Sequence, residues 1–396
     1  MRAARRVLGP APIFPGNPES NGWTLGVSAM NPATILVIKL KHIGDVLLAT
    51  PAIHALKAAY PSARIHALVP LGTEPVLEGN PDLAGVIPFV RPRGRGLRRW
   101  REEFRLVQAL RTLRPDLVVA MGKGDREAIL GFLSGARWRA GFDSGRKGFL
   151  GRNRLLTHRA ARTGREHVVE ADLKLVQALG IVSPDRRLRL ALGPEDAAAA
   201  DRILAEAGVG PGDALATVHP TSRWLFKCWR DEGMAAVMDH LASLGLRVAI
   251  TSGPDPREAR KARHILELAR RPAVDLIGRL SLKQLAAVLR RSRLFLGVDS
   301  APMHMAAAVG TPVVALFGPS GEHNWHPWGE GHLVVAKDLF CRPCGQDGCN
   351  GSKRSDCLDM ITEAEVIAAV DAQLRRQGLP GRPAAGAPLR AGGMTP

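Results

Sequence analysis

The sequence predicts an α/β protein made of two doubly wound, Rossmann-like domains that face a cleft. Three observations lead to this prediction. The 396 residues exceed what one hydrophobic core usually organises, short apolar runs alternate with helix-length segments, and the alternation occurs as two separate series. The hydrophobic fraction of 45% and the charged fraction of 23% are ordinary for a globular protein.

The first series begins with a predicted strand at 35–40, a helix from about 45 to 60 and a strand at 63–69, which together make a βαβ unit. It continues with predicted elements in chain order: a strand at 85–90, a helix at 100–113, a strand at 116–121 and a helix at 126–134. A basic, glycine-containing stretch from about 141 to 166 lacks a regular period, and a helix is predicted at 167–179.

The second series starts with a helix at 194–207, followed by strands at 214–218, 247–251, 274–277, 294–298 and 312–317, and it closes with a helix at 362–376. We therefore predict an N-terminal domain over 30–190 and a C-terminal domain over 191–377. Residues 1–29 contain four prolines and no continuous apolar region, which favours a disordered leader, or a start at Met30, over a secretory signal. The Gly/Pro/Ala-rich tail 378–396 is also predicted to be disordered.

The formal net charge of +18 indicates an anionic partner, which could be a nucleic acid, a membrane surface or a phosphorylated substrate. Arginines are dense at 91–105 and 137–165, although solvated loops are the alternative reading. No zinc-finger spacing, RNA-binding signature or basic heptad region accompanies the charge, so nucleic-acid binding is disfavoured. Four of the five cysteines lie together near the C-terminus, which favours a reducing, cytoplasmic compartment over a disulfide framework.

The first candidate site follows the first predicted strand, where the chain reads KHIGDVLL at 41–48. A glycine turn leads into a helix here, so the carboxylate of Asp45 would face the cleft. It could accept the proton of an acceptor hydroxyl presented there. Capping of the helix N-terminus is the alternative role for this aspartate.

The second candidate site follows the first strand of the second series, where Thr221, Ser222 and Lys227 occur close together. Two hydroxyls and an ammonium suit a diphosphate, because the hydroxyls donate hydrogen bonds and the ammonium neutralises charge. The third site is the strand-to-helix junction GVDSAPMH at 297–304, whose free backbone N–H groups could bind a phosphate. Simple loop residues and an N-cap at Asp299 are the alternatives.

The stretch 35–69, ILVIKLKHIGDVLLATPAIHALKAAYPSARIHALV, resembles the opening of glycosyltransferase family 9, the heptosyltransferases. The sequence HIGDVLL most resembles the branch of the family called heptosyltransferase III, which adds the side-branch heptose of the inner core. The resemblance extends over about 34–374, with the three motifs in the family's order and VVALFGPSGEHNWHPW at 313–328 similar to its nucleotide-pocket loop. It implies a GT-B-like fold and an inverting transfer of heptose from ADP-L-glycero-D-manno-heptose to the lipopolysaccharide inner core.

The resemblance also implies residue roles, with Asp45 as the catalytic base. It implies that donor binding falls to Thr221, Ser222, Lys227, Asp299, Ser300, Ala301 and His304. Family members often read Asp-Thr-Gly where this chain reads DSA, which leaves Ser300 as the hydroxyl donor. Glu258 could bond the ribose hydroxyls, although a solvated surface glutamate is the alternative. Because these fixed donors replace a cation, the scheme requires no metal for catalysis.

A cysteine-rich loop has the spacing C-x2-C-x4-C-x7-C at Cys341, Cys344, Cys349 and Cys357. Four thiolates could hold a structural zinc, while free thiols, disulfides and an iron–sulfur site are the alternatives. We predict no catalytic role for this loop. The loop sequence CRPCGQDGC resembles the heptosyltransferase III branch. This resemblance does not decide whether the loop binds a metal.

The implied partners are ADP-heptose, a lipopolysaccharide core acceptor bound by the N-terminal domain, and the inner leaflet of the inner membrane as a peripheral docking surface. Three other functions remain as alternatives. One is a transferase of the same architecture with a different nucleotide sugar. A dinucleotide-dependent enzyme is disfavoured because no G-x-G-x-x-G follows the first strand. An inactive scaffold bound to anionic lipid is disfavoured because Asp45 and Lys227 are present.

Overall fold

The computed structural model describes residues 30–91, 97–122, 124–145 and 151–378, so the predicted leader at 1–29 and the tail beyond Gly378 lie outside the described residues. The strands are β1 (Thr34–Ile38), β2 (Arg64–Pro70), β3 (Gly85–Phe89), β4 (Leu117–Ala120), β5 (Trp138–Phe142), β6 (His158–Ala160), β7 (Leu215–His219), β8 (Arg247–Ser252), β9 (Val274–Ile277), β10 (Leu294–Val298), β11 (Val313–Phe317) and β12 (Leu333–Ala336). The helices are α1 (Ile43–Leu48), α2 (Thr50–Ala59), α3 (Leu97–Thr112), α4 (Asp125–Leu133), α5 (Val168–Gln177), α6 (Pro194–Glu206), α7 (Asp231–Ser243), α8 (Pro256–Leu268), α9 (Leu282–Arg291), α10 (Ala301–Ala308), α11 (Glu322–Trp325), α12 (Asp356–Asp359) and α13 (Glu363–Arg376).

The strands form two six-stranded parallel sheets with the same topology. The order is β3-β2-β1-β4-β5-β6 in the N-terminal half and β12-β11-β10-β7-β8-β9 in the C-terminal half. Both orders are doubly wound: successive strands are added on one side of the first strand and then on its other side. The change of side lies between β1 and β4 in one sheet and between β7 and β10 in the other. Ligands of such sheets bind outside the carboxyl ends of the strands at this change of side. The segments after β1, β7 and β10 are therefore the expected positions for a site.

The central strands explain why the predicted fold class is correct. Every residue of β1, β7, β10 and β11 is buried, as expected for parallel strands covered by helices on both faces, which read as continuous apolar runs. One core cluster crosses between the halves, since α1 residues such as Val46 pack in the same cluster as Met303 of α10 and Phe295 of β10. The predicted domain boundary near residue 190 falls between α5 and α6.

The structure corrects several predicted elements. The stretch 141–166 is not irregular throughout, because β5 ends and β6 lies within it, and β12 was also missed. β6 has three residues and, like β12, lies at a sheet edge, where the apolar signal is weak. The predicted helix 45–60 is two helices that meet at Ala49. The Thr50 hydroxyl bonds Leu47 O at 2.7 Å and Pro51 occupies the first turn of α2, where it lacks an N–H to continue α1.

A cluster of aromatic rings, His167, His326 and Trp328, joins the two halves. His167, just before α5, stacks on Trp328 with ring centroids 4.6 Å apart, and its Nε2 donates to His326 O at 3.0 Å. Its Nδ1 accepts from Val169 N at 3.2 Å, so the neutral Nε2–H tautomer satisfies both contacts. The side-chain amide of Asn324 donates to two backbone carbonyls of the N-terminal half, Glu166 O at 2.7 Å and Gly164 O at 3.0 Å. These contacts hold the segment 324–328, which follows β11, against the N-terminal half.

Candidate active site

Asp45 lies in the first turn of α1, directly after β1, with its side chain partly buried. The N-cap position is His42, and no side chain caps this helix, so Asp45 does not play the alternative role of N-cap. The neighbouring Gly44 permits a close approach between the two halves. A Cβ at Gly44 would lie 2.8 Å from Cδ2 of His304 and 3.7 Å from the Cα of Ala301. The starts of α1 and α10 therefore abut across the cleft.

The start of α10 carries the third candidate motif. Ser300 is the N-cap and its hydroxyl donates to Val298 O at 3.3 Å, while Pro302 occupies the first turn. No side chain caps the helix, which leaves the first-turn N–H groups available to an anion. Asp299 is buried and is not the N-cap either. Its Oδ2 instead accepts from Lys227 Nζ at 2.7 Å, so the second and third sequence motifs meet at this ion pair.

His304 occupies the middle of this arrangement. Its side chain is buried and its Nδ1 has no hydrogen-bond partner among the described residues. Burial lowers the pKa of His304 to about 4, against the opposing effect of the carboxylates of Asp299 and Asp45. The imidazole is therefore neutral at neutral pH. A ring nitrogen without a partner in a cleft can form a hydrogen bond with a polar ligand, as donor or acceptor according to the tautomer.

Thr221, Ser222 and Glu258 form a second group at the carboxyl end of β7. Thr221 and Ser222 are buried, and the side chain of Thr221 lies beside the Glu258 carboxylate. Glu258 is 8% exposed, so the alternative of a solvated surface glutamate is wrong. Burial raises the pKa of Glu258 above its ordinary value. Two hydroxyls and a carboxylate at one strand end can serve a ligand with both phosphate and sugar hydroxyls.

Sequence reasoning missed a buried ion pair at the same edge of the N-terminal sheet. Lys39 follows β1, and its Nζ lies 2.5 Å from Oδ2 of Asp172 on α5, with both side chains buried. The second oxygen of Asp172 has no partner among the described residues. Burial raises the pKa of this carboxyl, the ammonium of Lys39 opposes that shift, and the nearby Asp45 adds to it. The signal was present in the sequence, because Asp172 lies on the apolar face of an amphipathic helix.

Glu127 is a second missed residue, buried in the first turn of α4 against the glycines of the preceding loop. Burial raises the pKa of Glu127, while the nearby ammonium groups of Lys41 and Lys39 act in the opposite direction. Two buried carboxylates, Asp172 and Glu127, therefore both lie within electrostatic reach of Lys39, which follows β1. Such concentrations of perturbed groups are typical of functional sites.

The cysteine loop contacts two segments of the C-terminal half: the turn that carries Lys227 and the loop after β11. Ser355 Oγ donates to Phe226 O at 2.6 Å, next to Lys227, and Gly345 N donates to Pro319 O at 2.9 Å. Arg342 donates to Gly318 O at 2.6 Å. The loop thus braces the turn that carries Lys227 and the loop after β11.

The four loop thiols differ in exposure. Cys341 and Cys344 are exposed, Cys349 is half-buried and Cys357 is buried, and all are free thiols. Across the described ranges, no three His, Cys, Asp or Glu side chains are arranged to ligate one metal ion. Zinc stays a prediction for this loop, and it would require the exposed thiols to close onto Cys357.

Comparisons with known proteins agree with this architecture. The family model described as glycosyltransferase family 9 (heptosyltransferase) matches residues 103–354. A lipopolysaccharide heptosyltransferase 3 of Escherichia coli is 32% identical over 333 residues, which cover 84% of this chain and 96% of that protein. A lipopolysaccharide heptosyltransferase 1 of Pseudomonas aeruginosa is 27% identical over 80% of this chain and 87% of its own length.

A solved structure with the same fold is a family 9 glycosyl transferase from Veillonella parvula, with a TM-score of 0.74 and 23% identity over 87% of this chain and 97% of its own. Its identity is low enough that it supports the fold alone. In the part of the chain that the structure describes, no helix is long and apolar enough to span a bilayer.

Proposed function

The chain belongs to glycosyltransferase family 9, the heptosyltransferases, and from that premise we propose that it transfers heptose from ADP-heptose to the lipopolysaccharide core. The relatives named lipopolysaccharide heptosyltransferase 3 favour the inner-core side-branch reaction for this chain. The observation that carries the proposal is the meeting of α1 with α10 at Gly44 and His304. It brings Asp45 of one half next to the uncapped start of α10 in the other half.

In the proposed reaction, Asp45 removes the proton of the acceptor hydroxyl while that oxygen attacks the anomeric carbon of the heptose. The bond between the anomeric carbon and the diphosphate oxygen breaks at the same time, and its electron pair leaves with ADP. Because attack and departure occur on opposite faces, the configuration inverts. Asp45 ends the step protonated and returns its proton to solvent.

The leaving ADP would be stabilised by fixed donors of the C-terminal half. The ammonium of Lys227 neutralises charge on the diphosphate, and the N–H groups at Ser300 and Ala301 donate to it. The hydroxyls of Thr221 and Ser222 add further donors. We propose that these groups take the place of a catalytic cation.

The remaining donor contacts concern the sugars. We propose that Glu258 accepts from the ribose hydroxyls, since its carboxylate is buried beside Thr221 at the end of β7. We also propose that His304, whose Nδ1 has no hydrogen-bond partner among the described residues, contacts the heptose.

We further propose that the protein acts in the cytoplasm and docks on the cytoplasmic face of the inner membrane. The acceptor is lipid-anchored, and the net charge of +18 favours an anionic surface. For the cysteine loop we propose a structural role, through bracing of the Lys227 turn, with a Cys₄ zinc site as the form to be tested.

The test is a donor and acceptor screen with the purified chain. Incubation with ADP-heptose and truncated lipopolysaccharide should release ADP and increase the acceptor mass by one heptose residue. Matched reactions with other nucleotide sugars serve as controls. Transfer of a different sugar in place of heptose would overturn the donor assignment, and absence of transfer from every donor would favour an inactive scaffold.

A further inference from the structure

The apolar side chains in the C-terminal half of helix α3 pack against the protein, whereas those in its N-terminal half are exposed. Leu106 and Val107 are partly buried and Leu110 is fully buried in the core cluster that includes β1 and β4. In the N-terminal half of the helix, Leu97, Trp100 and Phe104 have 83%, 74% and 63% of their surface exposed.

The three exposed residues form one stripe. Their spacing of three and four positions places them within about 60° of one another at roughly 100° per residue. Single exposed apolar residues are ordinary, but a continuous stripe that includes two aromatic rings is typical of an interaction surface. We call Leu97, Trp100 and Phe104 the α3 stripe.

Exposed arginines accompany the α3 stripe on the same helix. Arg101 and Arg105 lie beside the stripe, and Arg99 lies farther around the helix. The acid Glu103 is paired with Arg126 through an Nη2–Oε2 contact of 2.7 Å, so its charge is compensated. The exposed part of α3 therefore combines large apolar side chains with cationic neighbours. This is the composition of helices that lie in the interface of an anionic bilayer.

The position of α3 relates the stripe to the cleft. α3 follows β3, so its N-terminal turns, which carry the stripe, lie at the carboxyl edge of the first sheet. Asp45 lies at the same edge, after β1. In the sheet β1 is two strands from β3, so these two strands are roughly 10 Å apart. A membrane bound by α3 would therefore lie near the part of the cleft that contains Asp45, where we propose that the acceptor binds.

We infer that α3 is a membrane-docking helix whose stripe inserts Leu97, Trp100 and Phe104 into the headgroup–acyl boundary of an anionic bilayer. The neighbouring arginines then contact lipid phosphates. This inference rests on the proposed transfer to a lipid-anchored acceptor, and it adds an apolar contribution to what net charge alone would supply. Aromatic side chains such as Trp100 are well suited to this boundary, because one part of the ring system is apolar and another is polar.

Charge favours a bilayer over a second copy of the chain as the occupant. Two copies joined through the α3 stripe would bring their exposed arginines, Arg101 and Arg105, against each other, and both molecules carry a net charge of +18. Like charges at an interface oppose association. An anionic lipid surface has the complementary charge over the whole area of the helix.

The experiment is flotation of the full chain with vesicles of phosphatidylethanolamine and phosphatidylglycerol, compared with vesicles of phosphatidylcholine. The test variant is Trp100→Ser/Phe104→Ser. The control is Phe340→Ser, because Phe340 is a fully exposed aromatic residue on the other half of the chain. We expect the double variant to lose vesicle partitioning by on the order of 10–100-fold, from the apolar area withdrawn from water, and the control to float like the parent.

Salt separates the apolar contribution from simple attraction. Charge reversal at Arg101 and Arg105 should weaken flotation at low salt and matter less as the Debye length falls from roughly 30 Å at 0.01 M to about 3 Å at 1 M. The effect of Trp100→Ser/Phe104→Ser should persist at high salt. Equal flotation of this variant and the parent at high salt would overturn the insertion. A parent that forms dimers in solution, converted to monomers by the same variant, would overturn it in favour of self-association.

A second readout keeps this inference separate from the proposed function. Transfer of heptose to a lipid-free core oligosaccharide should be unaffected in Trp100→Ser/Phe104→Ser, whereas transfer to acceptor embedded in vesicles should fall with flotation. If no variant or parent transfers heptose to the soluble acceptor, the proposed function fails while flotation still reports on α3. If transfer to both acceptors falls equally with flotation unchanged, the docking role is wrong.

Discussion

Lys227 Nζ and Asp299 Oδ2 lie 2.7 Å apart, although the two residues are 72 positions apart in the chain. They come from the segments that follow β7 and β10, the neighbouring strands where the second sheet reverses its order. The pair thus marks the point where a doubly wound sheet binds ligands. It also holds the ammonium beside the uncapped start of α10.

Lys227→Ala should weaken binding of both ADP and ADP-heptose by about 1.5–3 kcal/mol, because a charge-assisted bond to the diphosphate is lost. The buried carboxylate of Asp299 would also be left unpaired near an anion. Calorimetry with ADP measures the change. Lys337→Ala is the matched control, since Lys337 bonds Glu365 at the same 2.7 Å with similar exposure. An unchanged dissociation constant in Lys227→Ala would place this lysine outside the pocket.

Asp45→Asn should reduce turnover by about 10²–10⁴-fold, the usual loss when a general base is removed. Donor binding should change little, because the proposed donor contacts lie in the other half of the chain. Steady-state rates combined with ADP calorimetry separate the two effects. Turnover close to that of the parent would rule out Asp45 as the base.

Acid should destabilise the contact between the two halves through His167. Burial lowers the pKa of His167 to about 2, with smaller effects from His326 and His304, whereas the ordinary value is about 6.5. Below about pH 6.5 the unfolded chain therefore binds a proton that the folded chain does not. The free energy of unfolding then falls with decreasing pH, by at most about 1.4 kcal/mol per pH unit for this one histidine.

His167→Asn should accordingly reduce the loss of stability between about pH 6.5 and pH 5, measured by urea unfolding at several pH values. His264→Asn is the contrasting control. A hydrogen bond donated to the Asp231 carboxylate raises the pKa of the exposed His264, so this histidine favours the folded state in acid, and its removal should not reduce the acid loss. An acid slope in His167→Asn equal to that of the parent would contradict the assignment.

The cysteine loop should show graded thiol reactivity in protein treated with a chelator. Exposed Cys341 and Cys344 should be alkylated quickly, while burial raises the pKa of Cys357 and of Cys228 to about 11 and should make both slow. A bound zinc would protect all four loop thiols until chelation, with about one zinc per chain by metal analysis. Fast alkylation of Cys341 and Cys344 in protein purified without chelator, together with no metal, would reject zinc.

The bracing role of this loop has a separate test. Ser355→Ala removes the 2.6 Å hydrogen bond to Phe226 O and should weaken ADP binding by about 0.5–1.5 kcal/mol through greater freedom of the Lys227 turn. Ser352→Ala is the control, since its hydroxyl bonds only within the loop, to Arg354 O at 3.2 Å. Equal ADP affinity in the two variants would show that the loop does not position Lys227.

The sequence by itself determined the fold class, because buried parallel strands such as β1, β7 and β10 must be apolar along their whole length. It also determined where candidate residues fall, since Asp45, Thr221 and Asp299 each follow one of these strands and parallel strands present their carboxyl ends at one edge. Short or peripheral strands escaped prediction. β6 and β12 are edge strands, and β5 includes Arg139, whose side chain bonds Leu155 O at 2.6 Å.

Only the tertiary structure decided which candidate residues meet. The approach of Gly44 to His304, the Lys227–Asp299 pair and the buried Lys39–Asp172 pair each join segments far apart in the chain. Local patterns report the period and burial of one segment, whereas these contacts depend on how two sheets pack across a shared core. The same packing left the α3 stripe exposed, because only the C-terminal half of this helix packs its apolar side chains into the core cluster that contains Leu110.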